Sequence, residues 1–264
     1  MSNTPDTAPR KRTPPRRVET ARVEILSPVM RRITLAGPSL AGFSIPLPAS
    51  YIKLIFPEPG QTEPVAPTPD GPRSPWMRTY TPRRFDAQAN ALEVDFVLHG
   101  EGPASTWAEH ARPGQALYLM GPGPGYKLDT TASGHWLIGD DSALPAFETI
   151  LETLPAATPV KLLVEVVDGR EERALPGATL ADIHWLPRGT DKNNAGEALL
   201  IALRGMAAPP FGTRIYIACE AMAMRRIRQW LIDELAVPRS QIVGRGYWKL
   251  GAVNHPDHDY GDDA

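Results

Sequence analysis

The chain has 264 residues, of which 42% are hydrophobic, and a formal net charge of −2. This length predicts two domains with apolar cores, and the near-neutral charge gives no general reason to expect a nucleic-acid partner. The single cysteine, Cys219, excludes an intramolecular disulfide framework and a cysteine-rich metal site, and it favours a reducing cytoplasm. No apolar run is long enough to predict a secretory signal or a membrane span.

Both ends of the sequence are polar and are predicted to be tails. Residues 1–16 are rich in proline and basic residues and are expected to be disordered. Residues 255–264 form an acidic C-terminal tail. Histidine and aspartate alternate near its start, but we interpret them as part of the tail, so no metal site is predicted.

Residues 17–128 follow the pattern of short strands separated by turns. At 92–98, apolar residues alternate with Glu93 and Asp95, which is typical of a half-buried strand. Only residues 104–111 favour a short helix. The pattern predicts an antiparallel Greek-key β-barrel, with strands at 22–25, 31–35, 51–56, 92–98 and 115–121.

Residues 129–254 alternate strands with helices, which predicts a doubly wound parallel-sheet nucleotide-binding domain. The nearly continuous apolar run at 160–167 is expected of a strand buried on both faces. Together the two halves predict a β + α/β chain, with the boundary between Gly121 and Gly134. The predicted strands are 136–138, 160–167, 183–186, 214–218 and 243–248, and the predicted helices are 144–154, 195–204 and 222–235.

Four short segments carry residue types suited to a flavin. In the run Arg78-Thr79-Tyr80-Thr81, an aromatic ring can stack on an isoalloxazine, a guanidinium can bind a phosphate, and hydroxyls can bond the polar ring edge. Taken alone, this run is ordinary strand composition. Three further segments follow it in order, at 99–105, 139–145 and 219–222.

On these segments, and on 51–54 and 246–249, the chain resembles the siderophore-interacting proteins from Arg17 to Gly251. These are flavin-dependent reductases related to the ferredoxin–NADP reductase superfamily. The resemblance implies an FAD cofactor, NADPH or NADH as electron donor, and a ferric siderophore as acceptor. Composition and periodicity alone indicate only a two-domain oxidoreductase candidate.

The resemblance also implies roles for residues of the barrel. Tyr80 is expected to pack against the flavin ring, Thr79 and Thr81 to bond its edge or the ribityl chain, and Arg78 to lie near the diphosphate. The alternative for Arg78 is a structural ion pair.

A second barrel segment is expected to cradle the pyrophosphate through Gly102, Pro103, Ala104 and Ser105, where small residues and a helix N-terminus favour an anion. The alternative for Ser105 is a simple helix cap. His99 either faces the flavin or merely ends its strand.

In the second domain, Asp140, Ser142 and Ala143 are expected to contact the flavin edge and the nicotinamide nucleotide, although Asp140 and Ser142 are also ordinary helix-capping residues. Cys219 and Glu220 lie where the superfamily has C-G-P-x-M near the nicotinamide. Glu220 and Ala221 depart from that pattern, and Cys219 is equally interpreted as a small buried hydrophobic residue.

Basic residues complete the expected site. Arg225 and Arg226 either pair with the 2′-phosphate of NADPH or form a solvated helix face. Lys53, Arg245 and Lys249 are expected to attract an anionic ferric siderophore, with Trp248 as an apolar or stacking wall. Their alternative is ordinary solvated cations at strand ends.

We therefore expect a cytoplasmic reductase that transfers electrons from NAD(P)H through FAD to a ferric siderophore and releases Fe(II). No general base is required, so no catalytic acid or base is assigned. Two alternatives remain. One is an oxidoreductase that donates to a redox protein or free flavin, and the other is a binding module that carries the iron chelate without turnover.

Overall fold

The computed structural model describes residues 14–68, 71–100, 102–178, 180–252 and 255. It contains a seven-stranded antiparallel sheet followed along the chain by a five-stranded parallel sheet, which confirms the predicted fold class. The first strand begins at Arg16, inside the range predicted to be a tail. The rest of both predicted tails lies outside the described residues, apart from positions 14, 15 and 255.

The antiparallel sheet curls until its two edges meet. Its hydrogen-bonded order is β4-β3-β7-β1-β2-β6-β5, yet β4 and β5, the two outermost strands, are separated in the chain by Thr81 alone. The two edge strands, β4 and β5, are therefore joined through the covalent chain at Thr81 and not by ladder hydrogen bonds to each other. The elements are β1 (Arg16–Ser27), β2 (Met30–Ala36), β3 (Ile52–Ile55), β4 (Met77–Tyr80), β5 (Pro82–Asp86), β6 (Ala91–Val97), α1 (Pro103–Glu109) and β7 (Ala116–Met120).

Apolar side chains at every second position of the strands build the interior of this barrel. In β6, Leu92, Val94 and Phe96 are fully buried in one apolar cluster, as the period-two pattern predicts. Asp95, on the opposite face of β6, is also buried, at 3% exposure. The reason is Arg32, whose guanidinium binds both carboxylate oxygens of Asp95 at 2.7 and 2.8 Å.

The parallel sheet has the order β10-β9-β8-β11-β12, which is doubly wound. The helix α2 packs on one face, and α3 and α4 pack on the other. Among the described residues no helix combines the length and apolar character needed to cross a membrane. The elements are β8 (His135–Asp140), α2 (Leu144–Thr153), β9 (Val160–Val166), β10 (Ala181–Pro187), α3 (Glu197–Arg204), β11 (Arg214–Glu220), α4 (Ala221–Asp233) and β12 (Ile242–Trp248).

A buried ionic cluster fastens the barrel to α2. Glu148 of α2 is 2% exposed and pairs with Arg83 of β5 and, at 3.7 Å, with Arg32 of β2. Arg173 of the second domain donates to the other Glu148 oxygen at 2.9 Å. The remaining donors of Arg83 bind Glu152 at 2.9 and 2.7 Å, so the charges from the two domains are mutually compensated.

We expect Glu148→Ala to destabilise the protein by on the order of 3 kcal/mol, because it removes one partner from a buried ion pair and leaves the arginines undercompensated. The free energy of unfolding from urea titration checks this. Glu19→Ala is the control: its ion pair with Arg17 is exposed on both sides, so its loss should cost less than about 1 kcal/mol. Equal losses for the two variants would contradict the assignment.

Candidate active site

The candidate site lies where the C-terminal edge of the parallel sheet meets the barrel. The Thr81 side chain, between β4 and β5, opposes the rise that burial gives the pKa of Tyr247 in β12, so the two side chains are neighbours across the interface. Nearby, Lys192 of the second domain donates to the backbone oxygen of His99 at 3.1 Å. Segments that the sequence analysis selected in different domains are therefore in contact across the interface.

Strand β4 presents its predicted flavin residues on two faces. The pairing with β3 places Thr79 opposite Lys53, whereas Arg78 and Tyr80 pair with residues buried in the barrel core. Paired residues share a face and neighbours alternate, so Thr79 lies on the opposite side of the strand from Tyr80. The half-buried Tyr80 ring contacts Phe96, with ring centroids 4.4 Å apart.

Arg78 and Thr81 lie in different surroundings. Arg78 Nη1 donates to the carbonyl oxygens of Pro75 and Met77 at 2.8 and 2.9 Å, so the guanidinium binds its own loop. Burial lowers the pKa of Arg78. Thr81 is only 8% exposed, and its side chain opposes the rise that burial gives the pKa of Tyr247.

The turn before α1 contains two glycines in the left-handed region. Gly100 and Gly102 have φ values of 78° and 83°, and a Cβ added at Gly100 would enter open space. No side chain caps α1, so the amides of Ala104 and Ser105 have no acceptor from the preceding helical turn. The Ser105 hydroxyl instead accepts the backbone N–H of His99 at 2.9 Å. The interpretation of Ser105 as a helix cap is therefore wrong, and the open turn fits an anionic group such as a diphosphate.

Asp140 connects the ends of three strands. Its Oδ1 accepts the Ser142 backbone N–H at 3.0 Å, which is the expected capping role. Its Oδ2 accepts the backbone N–H of Glu220 at 3.1 Å and the indole N–H of Trp248 at 2.8 Å. Burial raises the pKa of Asp140, although these donors oppose the shift. Trp248, predicted as an apolar wall, is thus oriented by a hydrogen bond.

Further carboxyl groups hold the loops at this edge of the sheet. Glu165 accepts the backbone N–H groups of Gly196 and Ala198 at the start of α3. Glu220 caps α4 by accepting the Ala223 N–H at 2.8 Å. In the described part of the chain no group of acidic, histidine or cysteine side chains is arranged to hold a metal ion. The buried acidic residues here are Asp140, Asp141, Glu165, Glu171 and Glu220.

Asp141 has the weakest compensation of these groups. Its Oδ2 lies 3.5 Å from Nη1 of Arg188, whose side chain is 9% exposed. Burial, together with the negative charge of Asp140, raises the pKa of Asp141 to about 7 despite the opposing effect of Arg188. Asp141 therefore keeps its proton to a higher pH than an exposed aspartate does.

The predicted nucleotide residues differ in accessibility. Cys219 is 1% exposed and packs in the apolar cluster between the sheet and helices α3 and α4, and burial raises the pKa of its thiol well above the usual value. This matches the alternative of a small buried residue. Ala143 is likewise fully buried, and the Glu220 carboxylate is occupied by backbone donors.

The two arginines of α4 also lie in different surroundings. Arg226 donates to Glu197 Oε1 at 2.6 Å and to the Ala195 carbonyl at 2.8 Å, which ties α4 to the start of α3. Arg225 lies beside Met222, with Nη1 3.6 Å from the sulfur. The 2′-phosphate role of Arg225 and Arg226 stays a prediction.

The predicted acceptor residues lie on β3 and β12. The Lys53 ammonium is 6.0 Å from the centroid of the Tyr51 ring. Arg245 is half-buried and donates to the Gly244 carbonyl at 3.0 Å. Lys249 is exposed just after β12. Their contact with a siderophore stays a prediction.

Sequence reasoning missed Tyr216, Tyr247, Arg83 and Glu148 as parts of the interface. Tyr247 lies inside the segment 246–249 that carried the family resemblance, so a signal for it existed. Glu148 had none, because a carboxylate in an amphipathic helix is ordinarily solvent-exposed.

The arrangement of an antiparallel barrel followed by a parallel sheet is a fold that the chain shares with a solved reductase. The chain superimposes on phthalate dioxygenase reductase, described as a modular structure for electron transfer from pyridine nucleotides to [2Fe-2S], with a TM-score of 0.59 and 14% identity over 86% of this chain and 66% of that one. A family model described as a siderophore-interacting FAD-binding domain matches residues 19–126. The barrel is thus an FAD-binding domain.

A second family model, described as siderophore-interacting protein, matches residues 132–251, and the chain belongs to the siderophore-interacting protein family. It is 32% identical over 258 residues to the ferric vibriobactin reductase ViuB of Vibrio cholerae, covering 94% of each chain. It superimposes on a siderophore utilization protein from T. fusca with a TM-score of 0.84 and 34% identity, over 94% of this chain and 98% of that one. For the siderophore-interacting protein SipS from Aeromonas hydrophila, the TM-score is 0.76 and the identity 30%, over 90% and 93%.

We expect Asp141→Asn to change how stability depends on pH. The pKa of about 7 in the folded state exceeds the usual 3.8, so the folded protein retains a proton that the unfolded chain loses. The wild-type free energy of unfolding should therefore fall between about pH 4 and pH 7, by at most about 1.4 kcal/mol per unit.

Urea titrations from pH 4 to pH 8 check this: the stability of Asp141→Asn relative to wild type should rise up to about pH 7 and then level off. Asp182→Asn is the control, because the Asp182 side chain is 58% exposed and its pKa is lowered by Lys161 and His184. A difference between Asp141→Asn and wild type that is independent of pH would refute the assignment.

Proposed function

We propose that this protein is a ferric-siderophore reductase that passes electrons from NADH or NADPH through FAD to the chelated iron and releases Fe(II) in the cytoplasm. The observation that carries the proposal is the meeting of an expected flavin segment of the barrel with the second domain, where Lys192 donates to the backbone oxygen of His99 at 3.1 Å. The 32% sequence identity to a ferric vibriobactin reductase, over nearly the whole chain, supports the same acceptor class.

When bound, FAD would supply the chemistry that couples a two-electron hydride donor, NAD(P)H, to two one-electron acceptors, Fe(III), with the proton of the hydride released to solvent. The protein's part is to position the cofactor, the donor and the acceptor, and to exclude water from the site. In this proposal Tyr80 lies along the ring, Thr81 bonds its edge, and the open turn at Gly100 and Gly102 takes the diphosphate. Asp140 and Trp248 fix the edge of the sheet at which the nicotinamide arrives.

In this proposal, positively charged side chains attract the acceptor to its binding surface. Ferric siderophores with catecholate or carboxylate arms are anionic, and Lys53, Arg245 and Lys249 supply cations on the strands that flank the interface. Siderophores bind Fe(II) far more weakly than Fe(III), so reduction itself releases the metal. The protein therefore needs no iron ligands of its own.

Purified protein tests the proposal directly. We expect a yellow flavin spectrum that NADH or NADPH bleaches and a ferric siderophore restores, with Fe(II) captured by a colorimetric chelator. A flavoprotein that reduces only free flavin or a redox protein would assign a different acceptor. A colourless protein that binds the ferric siderophore would indicate a carrier instead of an enzyme.

The double variant Arg245→Ala/Lys249→Ala should raise the KM for an anionic ferric siderophore roughly tenfold and leave flavin reduction by NAD(P)H unchanged. Stopped-flow reduction and steady-state iron release separate these effects. The charge-matched control is Lys161→Ala/Arg204→Ala, because Lys161 lies near the start of β9 and Arg204 ends α3, at the opposite edge of the sheet. Loss of flavin reduction in the first variant would place its residues in the nucleotide site or the fold.

A further inference from the structure

The segment that follows β12 is anchored at two points to the edge of the parallel sheet. The Trp248 indole N–H donates to Asp140 Oδ2 at 2.8 Å, and the Leu250 backbone N–H donates to Glu220 Oε1 at 3.2 Å. Lys249 lies between Trp248 and Leu250 in the chain and is exposed. The backbone that carries Lys249 is therefore held from both sides.

The two carboxylates that hold this segment are themselves fixed. Asp140 is 2% exposed and Glu220 is 4% exposed. Asp140 Oδ2 also accepts the backbone N–H of Glu220 at 3.1 Å, and Glu220 Oε2 accepts the Ala223 N–H at the start of α4 at 2.8 Å. Each oxygen of Glu220 thus has its own N–H donor, so this carboxylate cannot rotate without losing a hydrogen bond.

Residues 249–252 form a tight turn that leaves the Leu250 N–H to the carboxylate. The Ala252 N–H donates to the Lys249 carbonyl at 3.1 Å, and Gly251 has a φ of 76°. A four-residue turn with a positive φ at its third residue only is a type II turn. Leu250 is the second residue of this turn, so the turn itself does not use its N–H, and Glu220 accepts it.

We propose that Glu220 is a positioning residue for the acceptor: its carboxylate holds the turn at Leu250, so that Lys249 meets an anionic ferric chelate from a fixed backbone position. A lysine on an ordered backbone loses less conformational freedom on binding than one on a loose segment. Where Glu220 stands, the superfamily pattern C-G-P-x-M has glycine, which has no side-chain oxygen to accept the Leu250 N–H. The inference rests on the proposed function, in which Lys249 attracts the siderophore.

Leu250→Pro tests the proposal, because proline is favoured at the second position of a type II turn and lacks the N–H. We expect the dissociation constant of a ferric tris-catecholate, an anionic chelate, to rise about threefold, and that of an uncharged ferric tris-hydroxamate to stay unchanged. Titrations of the FAD-loaded protein without NAD(P)H, followed by tryptophan fluorescence, measure both constants. Leu250→Ala is the matched control, because it removes the same side chain and keeps the N–H.

A second set of variants tests the same contact from the carboxylate and from the cation. Glu220→Gln should raise the dissociation constant of the tris-catecholate by a similar factor, because the side-chain amide has one acceptor oxygen for two N–H donors. Lys249→Ala should raise it about fivefold. Adding Leu250→Pro to Lys249→Ala should cause no further loss, since both substitutions act through one cation.

The affinities of these variants decide the proposal. Leu250→Pro with wild-type affinity for the tris-catecholate would overturn it, and so would an equal loss of affinity for the uncharged chelate or losses that multiply in the double variant. Wild-type protein that binds the tris-catecholate without reducing it would refute the proposed function alone, while the binding measurements would still decide the role of Glu220.

Discussion

The carboxylate of Glu148 sits between guanidinium groups from both domains, and the geometry of the candidate site depends on this contact. Arg32 and Arg83 come from the barrel, and Arg173 comes from the second domain. Buried charges are tolerated only when they are closely paired, so a shift of one domain against the other would leave an arginine or Glu148 uncompensated. A site assembled from both domains requires this kind of fixed relation.

The same rule explains the acidic edge of the parallel sheet. An anionic dinucleotide would be repelled by free carboxylates, but Glu165 and Glu220 are satisfied by backbone amides, and Asp140 by amides and an indole. These side chains hold loops in place instead of facing a ligand. Lys249, one of the cations proposed for the acceptor, is exposed, so an approaching anion meets this positive charge before the buried acids.

Periodicity predicted most of the strands and all four helices to within a few residues, because apolar spacing reports directly on burial. It could not predict that Asp95 and Arg83 are buried, because their partners Arg32 and Glu148 are distant in sequence. Strand β5 was also missed, because its sequence, with Pro82 and two arginines, resembles a loop. Short motifs identified candidate residues but did not predict their burial: Cys219 was selected from its motif, and it packs in the apolar cluster with α3 and α4.

Thr81 lies where two constraints meet. It joins the two edges of the curled sheet, and it directly follows the aromatic residue expected on the flavin. Because Thr81 is buried, at 8% exposure, a larger side chain at this junction would strain the closure of the barrel. Closure of the barrel and orientation of the proposed flavin-facing hydroxyl are therefore not independent. The ionic cluster at Glu148 fixes the same barrel against the second domain, which links a contact made only of charges to the proposed chemistry of the site.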